Sequence, residues 1–329
     1  MKAQWGNLHP TDTKQQQQPR FWQYGASSVT IRTWWIAFGL TCLAVGSLGH
    51  AIAQDTPPVL GGDLADLCGA DAQHPPKQWK ISKGLNPDLW RSRLSCDVSS
   101  PTSDKPAVRV TVQPRDAYEV SLEDLPTERV EIQIKKQVIK FDQPTWYRFS
   151  FRLENPWQGI GNRTVIHQVK QNIPTEEQRP QGVCPAANPL FKIEAIPSAT
   201  GADFVVKVRG TTDCNVGASK VLCGPWHLDV GSWNDVNVMI KPSLHDGSSD
   251  LRVSLNGRNC DPYTGLLGYV DHGFRDRDGH PFIDVQPRFG IYRDSLADTV
   301  QAIDFADIKF WLSDPSGDPA WSGAKVTAK

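Results

Sequence analysis

From about residue 106 onward, apolar and polar residues alternate with a period of two. The pattern is clearest in "VRVTVQ" (108–113), "ERVEIQIK" (128–135) and "WYRFSFRL" (146–153), where apolar side chains occupy every second position. Such segments are typical of strands with one face in a core and the other toward solvent. Further segments of this kind lie at 164–171, 190–196, 204–210, 235–241, 251–257, 288–293 and 306–312.

Pro, Gly and Asp separate these ten segments, and no long amphipathic helix accompanies them. Asn256-Gly257 is a hairpin signal between two apolar runs. The pattern predicts an all-β sandwich, with a single domain over 106–329. Residues 54–105 are rich in Pro, Gly, Asp and Ser, and we expect them to form an irregular lead-in.

The first 53 residues have a different composition. A polar, basic stretch (1–33) precedes an apolar run (34–48) and the small-x-small pattern Ala51-Ile52-Ala53. This order predicts a signal peptide with a long basic leader, cleaved after Ala53, and a secreted or periplasmic product. The alternative is an uncleaved membrane anchor, although the apolar run is shorter than the ~20 residues that span a bilayer.

Charge limits the possible partners. The whole chain carries 35 basic and 36 acidic residues, and removal of the signal peptide leaves 31 basic against 35 acidic residues. A mildly acidic protein lacks the global basic field that nucleic acid requires, so a polyanion would have to be held by a local cluster of cations. We expect no nucleic acid and no stable membrane partner, and a monomer.

Six cysteines follow the signal peptide, and an even number in an exported chain predicts disulfides. Fifteen pairings are possible, with Cys68 and Cys96 as candidates to hold the lead-in. No C-x-x-C pair occurs, so a zinc site is not expected. The candidates are Cys68, Cys96, Cys184, Cys214, Cys223 and Cys260.

The segment "QPRFGIYR" (286–293) combines packing and chemistry. Strand alternation places Arg288, Gly290 and Tyr292 on one face and Phe289 and Ile291 on the other. The glycine leaves room for a bulky ligand near the tyrosine, and the arginine is a cation that can stabilise a phenolate. This arrangement suits a tyrosine that moves protons on an anionic sugar.

Arginines also recur on the polar faces of the first three segments. Arg109, Arg129, Arg148 and Arg152 would line one sheet if these strands were neighbours. A guanidinium binds a carboxylate in a fork, so such a sheet would hold a polymer of uronic acids. Solvation of each arginine is the alternative.

Four motifs occur in the order found in the jelly-roll polysaccharide lyases of the heparin lyase I, glucuronan lyase and alginate lyase group. "RVEI" (129–132) resembles their "RxE[LI]" strand, and "YRFSF" (147–151) resembles their aromatic strand. "IHQVK" (166–170) resembles the "QxH" strand, and "RFGIY" (288–292) resembles "YFKxGxY". The resemblance spans about 105–312 and implies a β-jelly-roll (concanavalin-like) sandwich of two antiparallel sheets.

The resemblance implies cleavage of a uronate polymer by β-elimination, which leaves an unsaturated sugar. Arg129 and Gln168 would bind the sugar carboxylate, Arg288 would supply a cation, and Tyr292 would act as acid and candidate base. The expected substrate-binding set is completed by Lys170, Glu131, Arg109, Arg148, Arg152 and His272, the last of these in a polar loop that could close over a substrate.

This sequence departs from the family pattern at the base. Lys170 stands where the family has histidine, and it could act as a base only if desolvation lowered its pKa. His167 precedes Gln168 and should point into the core. Gln286, Pro287 and Arg288 replace the first three residues of the last motif.

Two other functions remain open at this point. A non-catalytic carbohydrate-binding sandwich would explain the missing histidine. A glycoside hydrolase on the same fold would need paired carboxylates, for which Glu131 and Glu154 are candidates. No cofactor or metal is expected, because the acidic loop "DRDGH" (276–280) lacks the spaced ligands of an EF-hand, although calcium stays an option there.

Overall fold

A computed structural model describes residues 58, 60–61, 63–102, 105–119, 126–158, 163–172, 188–209, 219–269, 278, 280, 283–295 and 298–322. Strands dominate this part of the chain. The four helical segments within it are short: two 3-10 turns, Leu64–Leu67 and Pro87–Leu89, and two α-helical turns, α1 (Trp90–Arg93) and α2 (Pro319–Ser322). No helix among the described residues is long and apolar enough to cross a bilayer.

The strands form two antiparallel sheets. Sheet A contains β13 (Arg258–Asn259), β12 (Asp250–Leu255), β11 (Trp233–Lys241), β6 (Thr145–Leu153), β15 (Gln301–Trp311), β4 (Pro106–Val112) and β3 (Leu94–Ser99) in spatial order, with β1 (Leu60–Gly61) also pairing with β15. Sheet B contains β10 (Lys220–Leu228), β9 (Gly201–Val208), β8 (Phe191–Ser198), β7 (Thr164–Gln171), β14 (Val285–Asp294), β5 (Thr127–Ile134) and β2 (Trp79–Ile81).

The core lies between the two sheets and is built from the apolar positions of the alternating strands. In β11, buried and half-buried residues alternate along all nine positions. Phe149 of sheet A meets Phe289 of sheet B edge to face, with ring centroids 5.2 Å apart. The prediction of a two-sheet antiparallel β-sandwich is confirmed.

All ten predicted strands are present, and the hairpin at Asn256-Gly257 joins β12 to β13 with positive φ angles of 50° and 81°. The expectation of an irregular stretch over 54–105 differs from the structure, because β2 and β3 in that stretch extend one sheet each. β2 has only three residues, which is too short to show a period. β10 was also missed, because Gly224-Pro225 interrupts its alternation.

His167 is a core residue, as predicted from its position next to Gln168. Its side chain is fully buried, and its Nδ1 donates a hydrogen bond to the Arg288 carbonyl oxygen at 2.8 Å. Nε2 therefore accepts the hydrogen bond from the Tyr147 hydroxyl, at 2.7 Å. Burial lowers the pKa of His167 to about 3, so the imidazole stays neutral and links the two sheets.

Two disulfides are present in the described part of the chain. Cys68 pairs with Cys96, and Cys223 pairs with Cys260. The first pair holds the 3-10 turn Leu64–Leu67 near β3, as expected for the lead-in. Cys184 and Cys214 lie outside the described residues, as does the predicted signal peptide (1–53).

Candidate active site

The open face of sheet B, turned away from the core, brings the predicted central residues together. β14 lies between β5 and β7. Arg288 stands opposite Gln168 of β7, and Tyr292 stands opposite Arg129 of β5. Residues directly opposite each other share a face of the sheet, so these four side chains point to the same side.

Tyr292 lies between two guanidinium groups. The guanidinium carbons of Arg129 and Arg163 are 5.9 and 5.6 Å from the centre of its ring. Arg163 Nη1 also donates a hydrogen bond to the Tyr292 hydroxyl at 3.3 Å. Asp294, which is buried, orients Arg163 through a 3.0 Å contact with its Nε.

The prediction of which residue supplies the cation beside Tyr292 was therefore wrong. The sequence pointed to Arg288, but Arg288 Nη2 donates to Asn172 Oδ1 at 3.2 Å, and Arg288 Nη1 lies 4.0 Å from Glu131 Oε2. Arg163 fills that position instead. It precedes β7 and belongs to none of the recognised motifs, so only the pairing of β7 with β14 reveals it.

Glu131 organises the centre of the open face. Its carboxylate is buried and accepts a hydrogen bond from the Gln168 amide, while it also faces Arg288. Burial lowers the pKa of the Arg288 guanidinium, and the Glu131 charge opposes that change. Glu131 thus fixes the orientation of two donors and leaves their remaining N–H groups for a ligand.

Lys170 follows Gln168 by two residues on β7, on the same face, and stands opposite Gln286 of β14. Its side chain is half-buried, and burial lowers its pKa to about 8, with the charges of Arg288 and Arg129 adding to the effect. The desolvation that base chemistry would require of this lysine is therefore present. Near neutral pH its ammonium still carries its charge for most of the time.

Gly290 does not provide room for a ligand, in contrast to the expectation from sequence. Its φ angle is 143°, and a Cβ atom built there would lie 2.2 Å from the Val130 carbonyl oxygen. The missing side chain instead permits close approach to the β5 backbone, at the point where the pairing of β14 with β7 shifts register. Phe289 lies in the core and Tyr292 on the open face, because residues three apart along a strand point to opposite sides.

Comparison with known proteins gives the family. The profile described as "Polysaccharide lyase" matches residues 71–308, which is most of the chain. The chain belongs to this polysaccharide lyase family. No curated protein matches it.

Solved structures similar to this polysaccharide lyase include an endo-β-1,4-glucuronan lyase from the fungus Trichoderma reesei. The TM-score is 0.48 at 15% identity, over 73% of this chain and 91% of that one. An alginate lyase from Pseudomonas aeruginosa gives a TM-score of 0.45 at 14% identity, over 72% of this chain and 98% of that one. The alginate lyase AlyC3 gives 0.41 at 11% identity, over 63% and 75%.

The predicted row of arginines on one sheet is not found in this polysaccharide lyase. Consecutive strands β5 and β6 enter opposite sheets, so of these four arginines only Arg129 lies in sheet B. Arg109 and Arg152 in sheet A both bind Asp304, at 2.8 Å each, and both contact Glu154.

Arg148, also in sheet A, contacts Asp235 at 3.0 Å. These three arginines therefore lie in a different sheet from Arg129, Gln168 and Tyr292. His272 lies outside the described residues.

Proposed function

We propose that this polysaccharide lyase cleaves a uronic-acid-containing polysaccharide by β-elimination and leaves unsaturated uronate ends. The observation that carries the proposal is the position of Tyr292 between the guanidinium groups of Arg129 and Arg163, on the same sheet face as Gln168 and Arg288. That face offers donors for a sugar carboxylate beside a residue that can exchange a proton.

The reaction must first weaken a C–H bond. The proton at C5 of a uronate lies α to the carboxylate, and it is not acidic while the carboxylate keeps its full charge. In the proposal, Arg129 and the second N–H of Gln168 bind that carboxylate and stabilise the enolate-like intermediate. Glu131 keeps Gln168 in place, and Lys170 binds a carboxylate with its ammonium group.

Tyr292 then transfers the proton. Arg163 donates a hydrogen bond to its hydroxyl and Arg129 lies over its ring, and these two positive charges stabilise the phenolate that takes the C5 proton as base. The electron pair of the C–H bond forms the C4–C5 double bond, the C4–O4 bond breaks, and the resulting phenol returns the proton to O4. The products are one chain with a free O4 hydroxyl and one with an unsaturated end.

One residue that serves as both base and acid must reach both atoms from the same side of the sugar. This requires H5 and O4 to lie on one face of the ring, as they do in D-glucuronate and D-mannuronate. We therefore expect cleavage of glucuronan or polymannuronate rather than polyguluronate.

The glycoside hydrolase alternative is not supported by the fold. Glu131 lies in sheet B and Glu154 follows β6 of sheet A, so the two carboxylates cannot flank one glycosidic bond. Glu131 is also engaged by Gln168.

Ultraviolet absorbance of unsaturated uronate tests the proposal. The exported protein is mixed with glucuronan, polymannuronate, polyguluronate, a heparan-type glycan and pectate. We expect absorbance to grow on one of the first two and to be abolished in Tyr292→Phe, while that variant still binds the same polymer. Binding of a uronan by the wild type with no absorbance on any polymer would indicate the carbohydrate-binding alternative.

Export is part of the proposal. The signal-like segment 1–53 and the two disulfides are both expected of a protein made for an oxidising compartment. N-terminal sequencing of protein recovered from the medium or periplasm should begin at Gln54.

A further inference from the structure

A single row of polar residues crosses six neighbouring strands of sheet B. Each member stands directly opposite the next in the strand register. In order across the sheet, this cross-sheet row consists of Lys80, Gln133, Arg288, Gln168, Lys192 and Lys207. Arg288 and Gln168 already belong to the candidate active site, and the other four residues extend the row beyond it.

The row lies on the open face. Residues directly opposite one another project to the same side of a sheet. The sequence neighbours Trp79, Phe289 and Phe191 are fully buried in the core, so Lys80, Arg288 and Lys192 must point away from it. A ligand on this face would meet all members of the row in sequence.

Over the first five strands of the row, positive charge recurs at every second strand, and Lys207 adds a cation on the strand next to Lys192. Lys80, Arg288 and Lys192 alternate with the two uncharged glutamines. Neighbouring strands are about 4.8 Å apart, so successive cations are separated by roughly 10 Å. In an extended 1,4-linked uronan, successive sugars point their carboxylates to opposite sides of the chain. Carboxylates on one side therefore recur at every second sugar, and the length of two sugars is comparable to the distance between successive cations of the row.

The far end of the row is built around a buried carboxylate. Glu194 is 1% exposed and contacts Lys192 Nζ at 2.6 Å and Lys207 Nζ at 2.5 Å. Two ammonium groups on one carboxylate leave an excess positive charge, and Glu194 restricts where those groups can lie.

We propose that the cross-sheet row is a binding track for a polymer with one carboxylate on each sugar. Arg288 contributes to the same carboxylate as its neighbour Gln168, at the cleavage point, and Lys80 and Lys192 each take the carboxylate of a sugar two residues away, on opposite sides. The proposal rests on the proposed function in taking the polymer to be a uronan. It adds that affinity depends on chain length and on charge at defined spacing.

Direct binding to the full chain tests the track without requiring turnover. Calorimetry would measure glucuronan and mannuronan disaccharides and hexasaccharides, with a carboxyl-reduced hexasaccharide as an uncharged control, on a Tyr292→Phe background. Lys80→Gln and Lys192→Gln are the test variants. Lys241→Gln is the matched control. Lys241 lies on β11 in sheet A, so this substitution removes one positive charge at a position outside the row.

We expect each test variant to weaken hexasaccharide binding about 5–20-fold, with the disaccharide affected less than 2-fold and Lys241→Gln unchanged. The hexasaccharide should also lose most of its affinity when its carboxyls are reduced. Loss of Lys192 could leave the buried Glu194 carboxylate with one ammonium partner and so destabilise the fold. Lys80→Gln keeps the test valid in that case, because Lys80 is exposed and lies apart from Glu194, Lys192 and Lys207.

Equal binding of the hexasaccharide by wild type and Lys80→Gln would overturn the track, as would equal losses for disaccharide and hexasaccharide. Neither result depends on catalysis. If the wild type yields no unsaturated product from any uronan but the length-dependent loss is observed, the proposed function fails and the track stands.

Discussion

The Arg163 guanidinium donates a hydrogen bond to the Tyr292 hydroxyl across 3.3 Å, and it also lies over the ring of the same tyrosine. Asp294 holds the other edge of the guanidinium. This contact places a fixed positive charge at the atom where negative charge develops when Tyr292 is deprotonated. Arg163 is thus a candidate for activating the tyrosine.

Replacing Arg163 should reduce turnover more than binding. We expect Arg163→Gln to lower kcat by about 10²-fold, the usual cost of losing one donor at a developing oxyanion, with KM changed less than 3-fold. Arg163→Lys should recover part of the loss because it restores the charge. Steady-state kinetics on the preferred uronan decide the point, and a KM effect larger than the kcat effect would place Arg163 in substrate binding instead.

Lys170 should make binding depend on pH. Its pKa is lowered to about 8, so the ammonium that binds a carboxylate below that pH is lost as pH rises through it. We expect KM of the wild type to rise between pH 7 and 9, whereas Lys170→Arg should stay flat and Lys170→Gln should be high throughout. If Lys170→Gln instead lowers kcat by more than 10²-fold at unchanged KM, the base is Lys170 rather than Tyr292.

Gly290 should tolerate no side chain. In Gly290→Ala the new methyl would collide with the Val130 carbonyl in a backbone conformation that L-residues rarely adopt. We expect a loss of more than about 2 kcal/mol in the free energy of unfolding, together with lost activity. Gly231→Ala is the matched control, because Gly231 also has a positive φ angle (84°) but no atom within 4 Å of the added Cβ. It should cost about 1 kcal/mol, and equal costs for the two would contradict the role given to the Val130 contact.

His167 should make stability depend on pH. Its folded pKa of about 3 lies below the ordinary 6.5, so the unfolded chain binds the proton first. The stabilisation is therefore complete above about pH 6.5 and is lost as pH falls toward 3. Between pH 7 and pH 5 the wild type should lose about 2 kcal/mol more than His167→Gln in urea unfolding.

Tyr147→Phe serves as the control for His167. It removes the hydroxyl partner but keeps the buried imidazole, so it should be less stable than the wild type and retain the pH dependence. A pH dependence unchanged in His167→Gln would show that other groups cause it.

Much of the fold was predictable because the period of two is a local property. Each strand that alternates cleanly, such as β5 or β11, was found from its own residues. His167 was placed correctly for the same reason, since it alternates with Gln168 and the two side chains point to opposite sides of β7. The two-residue period says nothing about which sheet a strand joins, so Arg109, Arg148 and Arg152 were wrongly grouped with Arg129.

Arg163 shows a second limit. It precedes its strand, and its contact with Tyr292 exists because β7 and β14, which are distant in sequence, pair side by side. No periodic or motif signal carries that information. The sequence indicated that Gly290 has a particular role, but the reason a glycine is required is the close backbone of β5, which is distant in sequence.

The strand order of sheet B has a consequence for folding. β5 and β14 lie near opposite ends of the domain sequence, yet β14 supplies Tyr292 between β5 and β7. Long-range closure must therefore precede assembly of the site, and such closure is slow in sandwiches of this kind. A nascent chain released before β14 is synthesised would contain Arg129 and Gln168 but no Tyr292, so recovery of activity during refolding would report completion of the whole sandwich.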